Sequence, residues 1–460
     1  MSAERIDALD RTLLFCEDVV LLPGAATRRA VSDALGRQTV AIVSDAENLK
    51  HPSAQSAVVA LTRLVLGYGA SVRLVFPEVS LVSSQPPLEG HQLRRGILDL
   101  AAALIPGATA IIASEPAPSD LVFVVGDTNA ALGHETCWRL QGTNWSGETT
   151  APTIRGRPLD APLPFGALIA AGIASAEAFK AAMRSLGTGA LQLPEAMALT
   201  RAASFRLDVA EPEPQPDIHI GDLDCISAGA ITNAMLFALL RVPGIRGRVR
   251  VIDDDIAELT NLNRYMLLTR SQLGVRKEVL LASFGSDEGL SMRFASALLG
   301  TDSLKVLQPF ASQIFIGADR IPARWAAQAI WPTWLCVGAT DEFLAMVTEH
   351  PDGRPCAACV FDQAVPNPPE RIATLSFVSY WAGLIAAARL VRRATHCPYP
   401  PDEHAVSIFG PTAMDSPVAW RWSLVSRRED CRLRCAKRPS LGRGARTRRR
   451  VASKMRGSRQ

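Results

Sequence analysis

The sequence predicts an α/β protein with two doubly wound domains in tandem. A chain of 460 residues is long enough for two to three domains, each with its own buried core. The order strand, helix, strand occurs once in each half, and a proline-rich segment separates the halves. With 48% hydrophobic and 20% charged residues, the chain cannot be disordered throughout.

The pattern starts in the first half near residue 39. Residues 39–43 are an apolar run that predicts a strand, and residues 53–66 have apolar side chains at helical spacing. Residues 71–76 predict the next strand. Two strands joined through a helix are typical of a parallel, doubly wound sheet.

The second half repeats this order. Residues 217–220 predict a strand, residues 230–241 an apolar helix, and residues 248–252 a second strand. The spacing between the first and second strands is similar in the two halves.

Two more pairs of segments resemble each other. Residues 120–129 (DLVFVVGDTN) parallel residues 334–341 (WLCVGATD), and residues 164–171 parallel residues 380–387. The offset between the paired segments grows along the chain, which predicts an insertion in the second half. We interpret the pattern as an internal duplication; two unrelated α/β domains with similar small-residue helices are the alternative.

These patterns divide the chain into four parts. Residues 1–205 predict a first α/β domain, residues 206–217 an extended proline-rich linker, residues 218–438 a second α/β domain, and residues 439–460 a basic tail. The tail has almost no large apolar side chain, so we expect it to be disordered.

Charge is distributed unevenly between the body and the tail. Residues 427–460 carry 14 Lys and Arg against two acids, whereas the whole chain has a net charge of +4, so the body is acidic. A basic tail can contact nucleic acid through its phosphates. No aromatic residues lie between the arginines, so we favour a solvated tail or a contact with an acidic partner.

The sequence predicts neither a membrane span nor a secretory signal. The best apolar stretch, residues 165–178, is shorter than the about 18 residues of a span and predicts a buried helix. The first ten residues carry Glu4, Asp7 and Asp10, where a signal peptide would be basic and then apolar. We therefore expect a cytoplasmic protein with no membrane partner. In a reducing compartment, metal binding or thiol chemistry explains the nine cysteines better than disulfide bonds do.

The chemically interesting groups are concentrated in the second half. Residues 227–233 (SAGAITN) open a helix with Gly229 as their only glycine, and the free N–H groups of a helix N-terminus suit phosphate. The next strand ends in Asp253, Asp254 and Asp255, and an acid at this place in a dinucleotide fold binds ribose hydroxyls.

Three further polar residues follow this strand. Asn261, Arg264 and Lys277 lie in the inserted stretch. A guanidinium is a rigid fork and an ammonium a mobile point charge, and a nucleoside triphosphate needs both kinds of neutralisation. Taken singly, Arg264 or Lys277 is more often an ordinary surface charge.

Taken together, these motifs resemble a known family. Residues 251–264 (VIDDDIAELTNLNR), the sequence GVRK ending at Lys277, and the pair Thr340-Asp341 closely resemble the adenylation domain of the ThiF and ubiquitin-activating enzyme superfamily. The resemblance covers about residues 218–435 and implies Rossmann-like, ThiF-type domains. Superfamily members use ATP and magnesium to adenylate a carboxylate, commonly the C-terminal Gly-Gly of a ubiquitin-like protein, so the resemblance implies an adenylyltransferase.

The resemblance also implies roles for individual residues. Attack of an ionised carboxylate on an α-phosphate needs charge neutralisation and in-line positioning more than a base. Asp341, Arg264 and Lys277 are the implied catalytic groups. The implied binding assignments are Gly229, Asp253 and Asp255 for the nucleotide, Asn261, Arg264 and Lys277 for the triphosphate, and Asp341 for the magnesium ion.

The chain departs from the family pattern in its arginines. The arginine usually found a few residues after the magnesium-binding Asp does not follow Asp341. The arginine that the family supplies from an N-terminal helix or a partner subunit has no clear counterpart, and Arg28 and Arg29 are the candidates. The loop at Gly229 is a degenerate form of the glycine-rich motif.

The first half lacks the acidic and basic motifs of the second. Asn129 stands where the sequence pattern places Asp341 in the second half, and an amide cannot replace the charge of a carboxylate on magnesium. The chain therefore resembles an inactive half fused to an active one, an intrachain pseudo-dimer; a homodimer is the alternative.

The cysteines give an independent signal. Cys356 and Cys359 form a C-x-x-C pair, Cys431 and Cys435 form a C-x-x-x-C pair, and four thiolates predict a closed, structural Zn²⁺ site. Two unrelated thiol pairs are the alternative. Cys397 follows a histidine in a loop and is a candidate for a thioester-forming nucleophile. The four remaining cysteines are Cys16, Cys137, Cys225 and Cys336, which we expect in the core.

These observations predict an ATP- and magnesium-dependent adenylation. The expected substrate is the C-terminal carboxylate of a ubiquitin-like protein, a sulfur-carrier protein or a peptide, activated with release of pyrophosphate. One alternative is a non-catalytic nucleotide- or protein-binding scaffold. The other is a ThiF-type enzyme that acts on a small-molecule or tRNA carboxylate, to which the basic tail lends slight support.

Overall fold

The fold is taken from a computed structural model. It describes residues 2–20, 27–130, 133–186, 203–207, 217–300, 303–351, 354–362, 372–395, 406–409, 420–423 and 425–437. Most of the predicted linker, the whole basic tail and Cys397 lie outside the described residues.

The first half forms one mixed sheet of seven strands. These are β1 (Thr39–Val43), β2 (Ser71–Val75), β3 (Ala110–Ile112), β4 (Leu121–Val125), β5 (Cys137–Gly142), β6 (Ser146–Thr150) and β7 (Ala203–Arg206). Their order in the sheet is β3-β2-β1-β4-β5-β6-β7. The pairs among β1 to β5 are parallel, and the β5–β6 and β6–β7 pairs are antiparallel.

The second half forms a sheet of eight strands. These are β8 (Ile218–Ile226), β9 (Ile245–Asp253), β10 (Leu290–Ser296), β11 (Gln313–Ile316), β12 (Trp334–Asp341), β13 (Leu344–Glu349), β14 (Val406–Phe409) and β15 (Trp420–Ser423). Their order is β10-β9-β8-β11-β12-β13-β14-β15. The pairs from β10 to β12 are parallel and those from β12 to β15 are antiparallel.

Thirteen α-helices are described. They are α1 (Ala3–Ala8), α2 (Asp10–Phe15), α3 (Arg28–Arg37), α4 (Ala46–Leu49), α5 (Pro52–Gly67), α6 (Leu93–Ala102), α7 (Phe165–Arg184), α8 (Ala230–Leu239), α9 (Lys277–Ala282), α10 (Ser303–Val306), α11 (Ile321–Ala329), α12 (Ala357–Val360) and α13 (Ser376–Ala394). A π-helical turn spans Cys16–Val20, and short 3-10 turns span Leu259–Asn261, Arg270–Gln272 and Cys435–Lys437.

The two sheets share one topology, as the predicted duplication requires. The first seven strands of each half, β1 to β7 and β8 to β14, occur in the same spatial order and with the same polarity. The predicted parallel between residues 120–129 and 334–341 is wrong. Strand β4 is the fourth of its half and corresponds to β11, whereas β12 is the fifth and corresponds to β5. Sequence matching failed because β11 has only four residues, whereas the apolar start of the longer β12 is followed by Gly338, which lies inside the strand.

Four helices join the two halves into one core. Helix α7 packs on α5 and α13, and α13 packs on α8. Glycines permit the close approach: a Cβ on Gly172 would lie 3.0 Å from the Trp381 ring. The Tyr380 hydroxyl donates to the Leu168 carbonyl at 2.8 Å, so a hydrogen bond also links α13 to α7.

The small-residue helix expected at residues 165–178 is buried, as expected, but it extends to Arg184 and its 20 residues exceed the expected length. By length and composition, α7 is the one helix in the described part of the chain that could cross a membrane, and 94% of its most apolar window is buried inside the fold. The segment that predicted this helix therefore serves the interior of an α/β core, where close helix packing favours Gly and Ala.

Candidate functional site

A cavity of about 600 Å³ lies at the carboxyl ends of β8, β9, β11 and β12. The strand order reverses on either side of β8, which places the cavity at the topological switch point where open α/β sheets bind ligands. Its volume is within the range of small-molecule and cofactor sites. Residues from both halves line it, because Arg11 of α2 is among the lining residues together with Arg264.

The turn after β8 forms the floor of the cavity. Ser227 has a φ of +75°, a conformation that glycine adopts most easily, so a serine occupies the first glycine place of the motif. The Thr232 hydroxyl donates to the Ser227 carbonyl at 2.6 Å and fixes the turn. Gly229 is the N-cap of α8, and a Cβ there would lie 3.2 Å from the Ser227 hydroxyl. The degenerate sequence therefore still forms a turn at a helix N-terminus.

The acidic triplet after β9 has one structural member and two exposed ones. Asp253 accepts the backbone N–H of Asp254 at 2.8 Å and that of Asp255 at 2.9 Å with one oxygen. Its other oxygen accepts the Ala228 N–H at 2.5 Å, which ties the end of β9 to the β8 turn. Each carboxylate oxygen has two lone pairs, so Asp253 can still accept a hydroxyl from the cavity. Asp254 and Asp255 are exposed and line the cavity.

Asn261 and Arg264 lie on one short turn beside the cavity. The Asn261 side-chain oxygen accepts the Glu258 N–H at 2.9 Å, so the residue also caps its own turn. Arg264 donates from one nitrogen to the Thr260 carbonyl at 2.5 Å and to the Asn263 side chain at 2.9 Å. Burial and the nearby Arg11 both lower the pKa of Arg264. The two guanidinium groups are thus close enough to repel each other, and an anion between them would relieve the repulsion.

Lys277 approaches the cavity from the start of α9. Its ammonium donates to Asp255 at 2.7 Å and lies 5.8 Å from the centre of the Tyr265 ring. Burial lowers the pKa of Lys277, but Tyr265 and Asp255 outweigh this effect, so the pKa lies above its usual range. The lysine is therefore charged at neutral pH.

Arg11 is the cation that sequence analysis missed at the N-terminus. Its Nε and Nη1 are buried and have no hydrogen-bond partner among the described residues, and Asp10 lies 4.0 Å from Nε. The two arginines predicted for this role, Arg28 and Arg29, do not line the cavity. Arg28 pairs with Asp10 at 2.9 Å and with Glu17 at 2.9 Å, and Arg29 is on the surface. Of these three arginines, only Arg11 lines the cavity.

The structure places Asp341 outside the cavity. Asp341 ends β12 and pairs with Leu344 across a two-residue hairpin, where it is exposed, and the lining residues stop at Thr340. Asp319 lines the cavity instead, just after β11. The structure therefore places Asp319, and not the predicted Asp341, at the cavity, and the strand order also removes Asn129 as the first-half counterpart of Asp341.

The helix that follows Asp319 also brings an arginine to the cavity. Arg324 lies in α11, five residues after Asp319, and lines the cavity. It donates to the Ala318 carbonyl at 3.1 Å and lies 4.4 Å from the centre of the Phe361 ring. Burial lowers the pKa of Arg324 to about 10, and Asp319 opposes this shift. The sequence contains this motif as Gly317-Ala-Asp319 followed by an arginine in the next helix. It was overlooked because residues 120–129 were compared with residues 334–341 and not with β11.

The four predicted zinc ligands do come together. Their sulfur atoms all lie within 4.8 Å of one another, and all four residues are buried. Three sulfur pairs are 3.4, 3.4 and 3.8 Å apart, close to the roughly 3.8 Å expected for a tetrahedral site with Zn–S bonds of about 2.3 Å. Arg434 has a φ of +49°, which lets the C-x-x-x-C pair close around its extra residue. The ligands are Cys356, Cys359, Cys431 and Cys435.

Hydrogen bonds connect the cysteine cluster to the cavity through α11. The Trp325 ring N–H donates to the Phe361 carbonyl at 2.6 Å, and the Ala357 N–H donates to the Gln328 side chain at 2.9 Å. A metal ion held by the four thiolates would stabilise this corner and, with it, the helix that carries Arg324. The other expected core cysteines, Cys16, Cys137, Cys225 and Cys336, are buried as expected.

The equivalent place in the first half is filled by side chains. Asn48 is 1% exposed and accepts the Asp127 N–H at 3.2 Å; a Cβ on Gly126 would lie 2.0 Å from its side-chain oxygen. Arg139 donates to the carbonyls of Gly126 at 2.9 Å and Thr128 at 2.8 Å. Among the described residues, these side chains therefore occupy the place in the first half that corresponds to the cavity of the second.

Comparisons with known proteins give limited similarity. No protein-family model matches the chain. A curated relative, the uncharacterized protein y4jF of Sinorhizobium fredii, is 26% identical over 251 residues, which cover 52% of this chain. The match spans 46% of that relative, a little under half of its length.

Solved structures of Escherichia coli MccB also match in part. MccB alone gives a TM-score of 0.38 at 16% identity over 46% of this chain and 64% of that one. MccB with ATP gives 0.37 at 15% identity, and MccB with MccA-N7isoASN gives 0.38 at 16% identity; each covers 46% of this chain and 66% of that one. These matches span just under two thirds of the MccB chain. At these TM-scores and identities, the likeness supports no conclusion about activity.

Proposed function

We propose that the chain uses ATP and magnesium to adenylate a carboxylate. The observation that carries the proposal is the convergence of Arg11, Arg264 and Lys277 from both halves on one switch-point cavity. Three cations suit a triphosphate better than a singly charged ligand. Acids that could bind ribose and magnesium, Asp253 and Asp319, also line this cavity.

The lining divides into regions that fit the parts of ATP. Ile252 and Leu299 are buried, and Leu298 is 55% exposed, so these three form an apolar wall for a base. Asp253 is placed to accept a ribose hydroxyl, with Asp255 nearby. The N-terminus of the ten-residue α8 offers free backbone N–H groups to the phosphates.

The proposed chemistry needs no general base. A carboxylate is ionised at neutral pH, so its oxygen attacks the α-phosphorus, the bond between the α- and β-phosphates breaks, and pyrophosphate leaves with the electron pair. Arg11, Arg264 and Lys277 would neutralise the charge on the phosphates and hold them in line. A magnesium ion would supply further neutralisation, and Asp319 would hold it.

The first half acts in this proposal as a built-in, inactive partner. Its own cleft is filled by Asn48 and Arg139, yet it contributes Arg11 to the cavity of the second half. The two halves therefore work as an intrachain pseudo-dimer, and an active site forms without a second copy of the chain.

The substrate is proposed from the motif resemblance. We propose the C-terminal carboxylate of a ubiquitin-like protein, a sulfur-carrier protein or a peptide, in the cytoplasm. The exposed Asp319 and Arg320 lie at the cavity and leave it accessible to a chain end. A thioester step at Cys397 is not part of the proposal, because that residue lies outside the described part of the chain.

Pyrophosphate exchange tests the reaction. With a panel of carriers and peptides ending in a free carboxylate, we expect carboxylate-dependent exchange of labelled pyrophosphate into ATP. Asp319→Asn should abolish exchange, and Asp341→Asn, a matched change on the neighbouring hairpin, should leave it intact. Loss in Asp341→Asn with full activity in Asp319→Asn would restore the original magnesium assignment.

Calorimetry separates this proposal from its alternatives. ATP binding that strengthens with magnesium is expected, and no binding with or without magnesium would favour a scaffold instead. Binding without exchange on any protein or peptide, followed by exchange with tRNA or a small carboxylic acid, would keep the adenylation chemistry and overturn the substrate.

A further inference from the structure

Two buried arginines cross between the halves at related places in the duplicated fold. Arg63 lies in α5, the long helix between β1 and β2, and Arg241 lies just beyond the end of α8, the helix between β8 and β9. Arg63 is 0% exposed and Arg241 is 5% exposed. Each donates to the loop that follows the second strand of the other half.

Arg63 reaches the turn that carries the phosphate-binding candidates. Its Nη2 donates to the Leu262 carbonyl at 2.8 Å and to the Tyr265 carbonyl. These carbonyls belong to the turn that presents Asn261 and Arg264 to the cavity. The side chain itself does not line the cavity, so any effect on a nucleotide has to pass through the turn.

A glycine brings this turn against α5. A Cβ on Gly67 would lie 2.8 Å from the Asn263 carbonyl oxygen and 3.0 Å from Nη1 of Arg63. The first distance is shorter than real Cβ contacts, so any side chain at Gly67 would push the turn away from α5. Gly67 and Arg63 therefore act on the same few backbone atoms.

The charge of Arg63 is compensated by carbonyls alone. Within the residues that the structure describes, no carboxylate forms an ion pair with it. Burial lowers the pKa of Arg63 to about 9, so the side chain remains charged at neutral pH. A cation at the carbonyl end of a helical turn is favourable, and the two carbonyls lose this partner if the turn moves.

We propose that Arg63 is a positioning residue that holds the turn at residues 259–265, and thereby fixes Asn261 and Arg264 toward the phosphates. The nucleotide part of this inference rests on the proposed function. The first half would then shape the nucleotide site twice, through Arg11 at the cavity and through Arg63 from behind it.

Arg241 is the matched control that the duplication provides. Its Nη2 donates to the Pro86 carbonyl at 2.6 Å, its Nη1 donates to the Phe237 carbonyl at 2.8 Å, and its Cζ lies 3.4 Å from the centre of the Phe237 ring. Burial lowers its pKa to about 9, as for Arg63. Pro86 lies in the first half, where residues 76–92 contribute nothing to the lining of the cavity.

The test compares Arg63→Met with Arg241→Met in the full chain. Hydrogen exchange is followed in peptides covering residues 259–268 and 81–92, and Mg-ATP affinity is measured by calorimetry. We expect Arg63→Met to accelerate exchange in residues 259–268 at least about tenfold and to weaken ATP binding about 10- to 100-fold, as loss of charged hydrogen bonds would. Arg241→Met should accelerate exchange only in residues 81–92 and change ATP affinity less than about twofold.

Two further variants distinguish a displaced turn from general destabilisation of the fold. Gly67→Ala displaces the same turn without leaving a buried group unpaired, and it should weaken ATP binding although alanine favours a helix. Arg63→Lys retains a cation and should recover part of the affinity.

Several results would overturn the positioning role. Equal loss of ATP affinity in Arg63→Met and Arg241→Met, in proportion to lost thermal stability, would show a merely structural effect. Unchanged exchange in residues 259–268 of Arg63→Met would do the same. If the wild-type chain binds no ATP, the proposed function fails, and the exchange measurement alone then decides whether Arg63 holds the turn.

Discussion

Substitution of Arg11 by alanine should weaken nucleotide binding without weakening the fold. The guanidinium lies at the cavity with Nε and Nη1 buried and, among described residues, without a hydrogen-bond partner. It also lies close enough to Arg264 to lower the pKa of that side chain. Asp10 lies 4.0 Å from Nε, too far for a hydrogen bond, so an anionic ligand in the cavity would supply the acceptors that Nε and Nη1 lack among the described residues.

The size of the effect follows from these contacts. A hydrogen bond between charged groups contributes about 1.5–3 kcal/mol, so Arg11→Ala should weaken ATP binding about 10- to 150-fold. In the ligand-free protein, alanine removes buried donors that cost about 1–3 kcal/mol when unpaired, which offsets the packing lost with the side chain. We therefore expect an unfolding temperature equal to or slightly above that of the wild type.

The assay pairs calorimetry with thermal unfolding, with and without Mg-ATP. Arg29→Ala is the control, since Arg29 is an exposed cation on α3 and does not line the cavity. ATP should raise the unfolding temperature of the wild type and of Arg29→Ala, but much less that of Arg11→Ala. Wild-type ATP affinity in Arg11→Ala would refute the reasoning, as would a large loss of stability without ligand.

Three other variants test separate parts of the structure. Burial lowers the pKa of His350 from 6.5 to about 4, so the unfolded chain takes up a proton before the folded chain does as the pH falls. The contribution of this residue to the free energy of unfolding is complete above pH 6.5, and about 3 kcal/mol of it is lost as the pH falls toward 4. Denaturant titrations should show this loss in the wild type and not in His350→Gln. Cys359→Ser should abolish one bound zinc per chain, measured by elemental analysis, and lower the unfolding temperature, whereas Cys137→Ser should retain the metal. Gly383→Ala should destabilise the fold by about 1–3 kcal/mol in denaturant titrations, because its Cβ would lie 2.5 Å from the Ile231 carbonyl oxygen; wild-type stability would contradict this packing.

Motifs that lie close together in the chain were predictable. The spacing from Asp253 to Asn261 and Arg264 and the two cysteine pairs can be recognised in the sequence, and the structure places all of these residues at one cavity or one cluster. Local spacing suffices there because a strand end with its following turn, or a cysteine pair in a tight loop, already limits where the side chains can lie.

Strand order could not be taken from the sequence in the same way. Strand β11 has four residues and β12 has eight, so β12 is the easier strand to recognise in the sequence. The sequence therefore favoured Asp341, at the end of β12, over Asp319, which follows β11. Only the parallel pairing of β11 between β8 and β12 shows which turn faces the cavity. The arginine five residues after Asp319 was overlooked for the same reason.

By itself, the sequence determined the α/β class, the duplicated order of elements and the cysteine set, because periodicity and short-range spacing are properties of a local segment. Only the tertiary structure decided which residues of the first half serve the second. Arg11 and Arg63 carry no motif, and each lies about 200 residues or more from the groups it approaches. Their roles arise from the packing of the two halves, which sequence patterns do not encode locally.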